Sequence, residues 1–186
     1  MTWAMHYVLD KNASRFTVRA FAVGMLSAFG HNPVIAIRDF SGEADFNPDA
    51  PDTSCLQIHI RADSLEVTDD IKAKDRQEME STMKQQVLAS ERYPEIVFEG
   101  SGTSANRISD ALFRLNLNGT LFLRGKAGRI SIPAQIAFMG GRLRASGEFS
   151  LLQSEYGIQP VSVAGGALKL KDEIKFAFDI VAQARE

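Results

Sequence analysis

From Leu112 to Leu152 the chain alternates apolar and polar residues three times over. Phe113, Leu115, Leu117, Leu121 and Leu123 take odd positions. Ile130, Ile132, Ala134, Ile136 and Phe138 take even ones, and Leu143, Ala145, Phe149 and Leu151 are odd again. A period of two is the mark of strands with one wet and one dry face. The same alternation runs through Ser14–Gly24, Val34–Phe46, Cys55–Ser64, Tyr93–Gly102 and Asp172–Gln183. Between Ile37 and Phe40 the phase slips, which predicts a bulge or bend. At about 72–90 the period changes. Met79, Met83 and Val87 recur at i, i+4 and i+8, a helix with one narrow apolar stripe, and Pro94 bars its continuation.

Eight one-sided strands need a cover, and one helix with a narrow stripe cannot supply it. A sheet that closes on itself is its own cover. The expected fold is therefore mainly β: an eight-stranded antiparallel β-barrel in a single domain, 1–186, with the helix at one end. If successive strands run up and down, the short polar connections, Asn47–Thr53, Thr103–Asp110 and Met139–Gly141, fall at the bottom. The longer ones, Gly24–Pro33, Leu65–Tyr93 and Gln153–Lys171, share the top with the Gly125–Gly128 turn. Long loops mark the functional end, so the top is the expected mouth.

The inward positions mix large residues, such as Phe16, Phe113, Phe149 and Phe178, with Ala20, Gly42, Ala44, Gly119, Ala134, Ala145 and Gly147. That mixture suits the taper of a solid core and the wall of a slender cavity equally. In the hollow case the strand phases place Phe16, Val18, Ile96, Phe98, Phe113, Leu115, Leu117, Ile132, Ile136, Phe149, Phe176 and Phe178 on the wall. Gly147 then sits where a side chain would intrude.

Composition narrows the class. About 45% of the 186 residues are hydrophobic, and the net charge is −2 with Lys and Arg scattered. No basic face is evident, so nucleic acid is not an expected partner. The single cysteine, Cys55, allows no internal disulfide. No run of 18 apolar residues suggests an integral membrane segment. The first cation is Lys11 and no apolar run follows a basic head, so the expected location is the cytoplasm, or the periplasm if a leader has been removed.

Candidate chemistry is sparse. His31, in the first top connection, could contact a ligand head group or simply tie down a turn. Arg124, Lys126 and Arg129 flank a top turn, where a diphosphate or carboxylate would meet them; an ordinary basic hairpin tip looks the same. Gly125–Gly128 lacks the spacing and the Ser or Thr of a P-loop. Cys55 and His59 share the outer face of one strand but stand roughly 13 Å apart, too far for one metal ion, and no metal site is expected. Asp69, Asp70, Asp75 and Glu78 read as a solvated helix start. No nucleophile elbow or Cys–His pair emerges, so no catalytic residue is assigned.

Several short motifs, in order, carry a resemblance. They are Leu9-Asp10 with Ser14 and Phe16; Phe40-Ser41-Gly42 with Phe46; Ala62-Asp63-Ser64-Leu65; Tyr93-Pro94-Glu95-Ile96-Val97-Phe98; Gly119-Thr120-Leu121-Phe122-Leu123-Arg124-Gly125; and Gly147-Glu148-Phe149 followed by Glu155-Tyr156-Gly157-Ile158. Nearly end to end the chain resembles the YceI-like family of lipocalin-like barrels. It departs from that pattern at Gln153, where an Arg is common, and at the Lys126-Ala127-Gly128-Arg129 turn. The resemblance implies a non-enzymatic carrier or store of a long-chain apolar lipid, polyisoprenoid-like, without a cofactor. The contrasting readings are a solid-cored barrel serving as a protein-interaction module and a lipid-modifying enzyme using His31. A homodimer is compatible with either kind of barrel.

Overall fold

A computed structural model of the chain describes residues 4–24 and 32–185. Three bent strands open the barrel. β1 (Met5–Leu9) continues through a short 3₁₀ turn into β2 (Arg15–Arg19), β4 (Val34–Ile37) into β5 (Phe40–Phe46), and β6 (Cys55–Arg61) into β7 (Leu65–Val67). β3 (Ala22–Val23) leaves the barrel after β2. The expected bend between Ile37 and Phe40 is the middle one of three corners at the same level.

Each corner is held by short polar side chains. Asp10 accepts from the amides of Asn12 and Ala13. The buried Ser14 hydroxyl accepts from the Val181 amide at 2.9 Å, filling the ladder position that the turn interrupts. The Asp39 amide donates to Ser64 Oγ, and the Arg61 amide to the Asp39 carbonyl, which locks the second corner to the third. Met5–Leu9, which the alternation alone did not mark, is thus the lower half of the first strand. Its Tyr7 is fully buried.

Four long strands complete the wall: β8 (Glu95–Ser109), β9 (Leu112–Leu123), β10 (Lys126–Met139) and β11 (Arg142–Leu152). β12 (Ser162–Val163) and β13 (Leu168–Leu170) form a small three-stranded sheet with β3. β14 (Glu173–Ala184) returns to the barrel and pairs with β11 on one side and with β1 and β2 on the other. Neighbours along the chain are neighbours in the sheet and the circle closes: an eight-stranded antiparallel barrel with a single helix. The connection expected at Thr103–Asp110 is strand as far as Ser109. Beyond Ser101, β8 has lost its partner β6 and pairs with β9 alone. From Thr103 on its side chains are exposed on both faces, so no alternation marks it. The turn expected at Gly125–Gly128 is tighter, Arg124-Gly125, with both residues at positive φ as a two-residue hairpin turn requires.

α1 (Ala73–Thr82) runs on through a π turn, Met83–Val87. It lies where the wall is open. β7 rises above the third corner, whereas β8 begins at the level of that corner, Glu95 facing Arg61. The free edge of β7 therefore needs another acceptor, and Glu80 Oε1 takes the Val67 amide at 2.9 Å.

Candidate functional site

The inward side chains divide into two clusters. At the bottom, Tyr7, Phe46, Phe113, Leu115, Ile136 and Leu143 form a plug. Phe46 meets Phe113 edge to face at 5.5 Å and Phe138 at 6.1 Å. Above it lies an apolar cavity of about 810 Å³ running along the barrel axis. The barrel is hollow in this part and packed below it.

Of the wall residues expected from strand phase, Phe16 and Val18 (β2), Ile96 and Phe98 (β8), Leu117 (β9), Ile132 and Ile136 (β10), Phe149 (β11), and Phe176 and Phe178 (β14) border the cavity. Phe113 and Leu115 do not. They lie lower, 0% and 3% exposed, inside the plug. Gly147 is also off the wall. A Cβ there would stand 2.7 Å from Phe178 Cζ and 2.3 Å from the Pro133 carbonyl oxygen, because the Phe178 ring lies against the glycine. Phe98 does the same over Gly100 and Gly119. These glycines are notches that receive aromatic rings against the wall, so each ring lines the cavity without filling it.

The mouth is framed by the helix on one side and the small sheet on another. Met79, Thr82, Met83 and Val87 reach the cavity from the helix, and Val161, Val163, Leu168 and Leu170 from the loop and sheet. The helical stripe expected from Met79, Met83 and Val87 faces the cavity directly.

The polar residues expected at the mouth are placed differently. His31 lies outside the described residues. Arg124 and Lys126 do not border the cavity. Arg124 is a brace: its Nη1 donates to the Gly157 carbonyl at 2.5 Å and its Nη2 reaches the Gln86 carbonyl at 3.5 Å. It joins the β9–β10 turn, the end of the helix and the loop after β11. A guanidinium at the carboxyl end of a helix also suits the dipole. Lys126 lies along the same loop, its Nζ 3.0 Å from where a Gly157 Cβ would be.

Two residues that the sequence marks only as parts of a motif or departures from it lie close to the site. Gln153, 5% exposed, borders the cavity, and its Nε2 donates to the Lys171 carbonyl at 3.0 Å. Its place among Leu151, Leu152 and the loop motif was visible, but only the fold turns it inward. Tyr156, 1% exposed, packs its hydroxyl against Gly128 with no hydrogen-bond partner among the described residues, and burial pushes its pKa up. It is not on the cavity wall.

On the outer face, His6 and Cys55 converge on one carboxylate. His6 Nδ1 stands 3.0 Å from Asp45 Oδ1, and the Cys55 thiol donates to Asp45 Oδ2 at 3.3 Å. These contacts, His6 first, hold Asp45 below the usual carboxylate range. Burial, and then Asp45, raise the thiol pKa, the opposite of nucleophile activation.

A family model described as YceI-like domain matches residues 7–182. Three solved structures share the fold. BcnA of Burkholderia cenocepacia is 17% identical, with a TM-score of 0.72 over 94% of this chain and 99% of its own. A polyisoprenoid binding domain from Saccharophagus degradans, implicated in plant cell wall breakdown, is 14% identical, with a TM-score of 0.70 over 99% and 100%. A Campylobacter jejuni YCEI protein is 17% identical, with a TM-score of 0.61 over 82% and 85%. No match is found among curated protein sequences.

Proposed function

Because the chain belongs to the YceI-like family, we propose that it binds a long-chain, polyisoprenoid-like lipid in the barrel cavity and serves as its carrier or store. The observation that carries this reading is the cavity itself. Its volume, about 810 Å³, is in the range of small-molecule sites, and its wall is overwhelmingly apolar. Each buried CH₂ contributes about 0.8 kcal/mol, so a chain laid along the axis supplies most of the affinity without help from polar groups. The Saccharophagus degradans domain of the same fold is a polyisoprenoid binder, which supports the same ligand class here. The groups around the cavity support binding: among the described residues, the aromatic and aliphatic side chains of the wall bring no nucleophile and base together in the lumen.

Native mass spectrometry of protein purified without detergent tests the reading. A co-purifying long-chain species, or saturable uptake of an added C20 isoprenoid, is the expected result. Protein that emerges empty and takes up no long-chain lipid would refute it.

A further inference from the structure

The polar groups around the cavity have a consistent character. The charged residues that border it at the mouth are Asp69, Asp75, Glu78 and Lys169, three carboxylates and one ammonium, whereas Glu43 and Asp45 turn their carboxylates to the outer face of β5. Asp45 is already engaged by His6 and Cys55 at the lower end. Asp69, Asp75 and Glu78 stand where the helix begins, at the mouth. The Gly24–Pro33 connection contains no Lys or Arg, and Arg124 spends its guanidinium on the Gly157 and Gln86 carbonyls.

Deeper in, the buried Gln153 points the same way. Its Nε2 donates to the Lys171 carbonyl, and that contact fixes the amide, since the flipped rotamer would set oxygen against oxygen. Its backbone is fixed as well, the Gln153 amide donating to the Asp172 carbonyl and its carbonyl accepting from the Ile158 amide. The remaining side-chain oxygen accepts no hydrogen bond from a described residue and belongs to a side chain on the cavity wall. An acceptor that faces an apolar lumen is best matched by a ligand's donor. A ligand that brings a donor satisfies it; a carboxylate or phosphate brings further acceptors and negative charge.

We propose that the cavity selects long-chain lipids whose head group donates hydrogen bonds and bears no negative charge, an alcohol or an amine, over carboxylates and phosphates of the same chain. This rests on the reading of the cavity as a lipid site. It reverses the preference that Arg124 and Lys126 suggest from the sequence alone.

The test compares four C20 isoprenoids, geranylgeraniol, geranylgeranylamine, geranylgeranoic acid and geranylgeranyl diphosphate. Each competes at low ionic strength with the neutral dye N-phenylnaphthylamine. The alcohol and amine should displace it at concentrations at least about tenfold lower than the acid and diphosphate, equivalent to about 1.4 kcal/mol. The exposed pair Asp75→Asn and Glu78→Gln, which leaves the fold intact, should improve binding of the two anions. Gln153→Leu should weaken the alcohol while leaving the hydrocarbon phytane unchanged. Equal displacement by all four, or tighter binding of the anions, overturns the selectivity and leaves the lipid reading standing. Failure of every isoprenoid and of the dye to bind refutes the lipid reading, and the selectivity with it.

Discussion

Below the corners, aromatic rings reach across the barrel; above them they lie along its wall. Phe46 on β5 meets Phe113 on β9 and Phe138 on β10, strands that are not neighbours, so these rings span the lumen and close it. In the upper half each ring contact joins adjacent strands. Phe149 stacks on Phe176 at 5.0 Å, its partner in the β11–β14 ladder. Phe16 meets Phe40 at 4.7 Å and Phe176 at 5.8 Å. Phe98 and Phe178 recline in glycine notches. The same residue type at the same inward phase makes a plug in one half and a lining in the other. Whether a large inward side chain fills a barrel depends on whether its neighbours leave it a place against the wall.

The largest expected effect comes from breaking the plug. Phe113→Ala removes a fully buried ring from a packed cluster and should cost about 3–5 kcal/mol, read as a fall in the denaturant midpoint. Phe176→Ala, bordering a space that already exists, should cost less and should raise the uptake of bulky chains. Equal losses at the two positions would mean that the halves do not differ in packing.

Filling a notch sharpens the contrast from the other side. Gly147→Leu must displace the Phe178 ring and crowd the Pro133 carbonyl. It should cost about 1–3 kcal/mol through overpacking and lower the capacity for a long-chain fluorescent lipid by driving Phe178 into the cavity. Full binding with undiminished stability would show that the ring has another place to go.

The brace at the mouth matters less to stability. Arg124→Ala loses the contacts to Gly157 and Gln86 and should cost about 1 kcal/mol. Its signature should be local: faster hydrogen exchange in residues 73–87 and in the loop around Gly157, with β8–β11 below unaffected. Uniform acceleration through the whole barrel would contradict that.

Smallest is a charge pair on the outside of the barrel at the level of the first corner. Arg144 grips Asp179 through two bonds of 2.8 and 2.6 Å, linking β11 to β14, and the guanidinium holds the Asp179 carboxyl below its ordinary pKa of 3.8. A carboxylate with a depressed folded-state pKa contributes stability that is present above its unfolded value and lost as pH falls through the folded one. Asp179→Asn should therefore reduce stability at pH 7 by no more than about 1 kcal/mol, as for exposed pairs, and by progressively less as the pH falls below about 4. A difference between the variant and parent that persists unchanged at pH 2 would assign the effect to packing rather than charge.

Period-two alternation was enough to count eight strands, assign their inward faces and deduce closure, because a one-sided sheet of that size has no other way to cover itself. It also located the helix and the end at which the long connections gather, where the helix and the small sheet frame the cavity. It did not reveal the strands that pair without a dry face, such as the projecting part of β8, because exposure on both sides erases the pattern. Nor did it reveal that Met5–Leu9 and Arg15–Arg19 are one bent strand, because the polar corner residues between them resemble an ordinary turn. Ten of the expected wall residues border the cavity; Phe113 and Leu115 miss it by depth along the barrel axis, and Gly147 because the Phe178 ring covers it. Strand phase says whether Phe113 points inward, and says nothing about whether a cavity or another ring awaits it there.

The polar end shows the same division. Along the chain, Arg124 and Lys126 are cations at a hairpin tip, Asp75 and Glu78 the acids of a helix start, and Gln153 a neutral residue among apolar ones. Which of them meets a ligand depends on the rotation of the helix over the seam beside β7 and on the fold of the loop after β11. Both are set by long-range contacts, Glu80 to the Val67 amide and Gln153 to the Lys171 carbonyl. The chain's own pattern determined a closed barrel with an apolar interior, because burial of alternate residues is a local constraint repeated along every strand. That the interior is hollow above and solid below, and that carboxylates outnumber cations around the opening, was decided only by tertiary structure, because side-chain direction, depth and partner are properties of pairs distant in sequence.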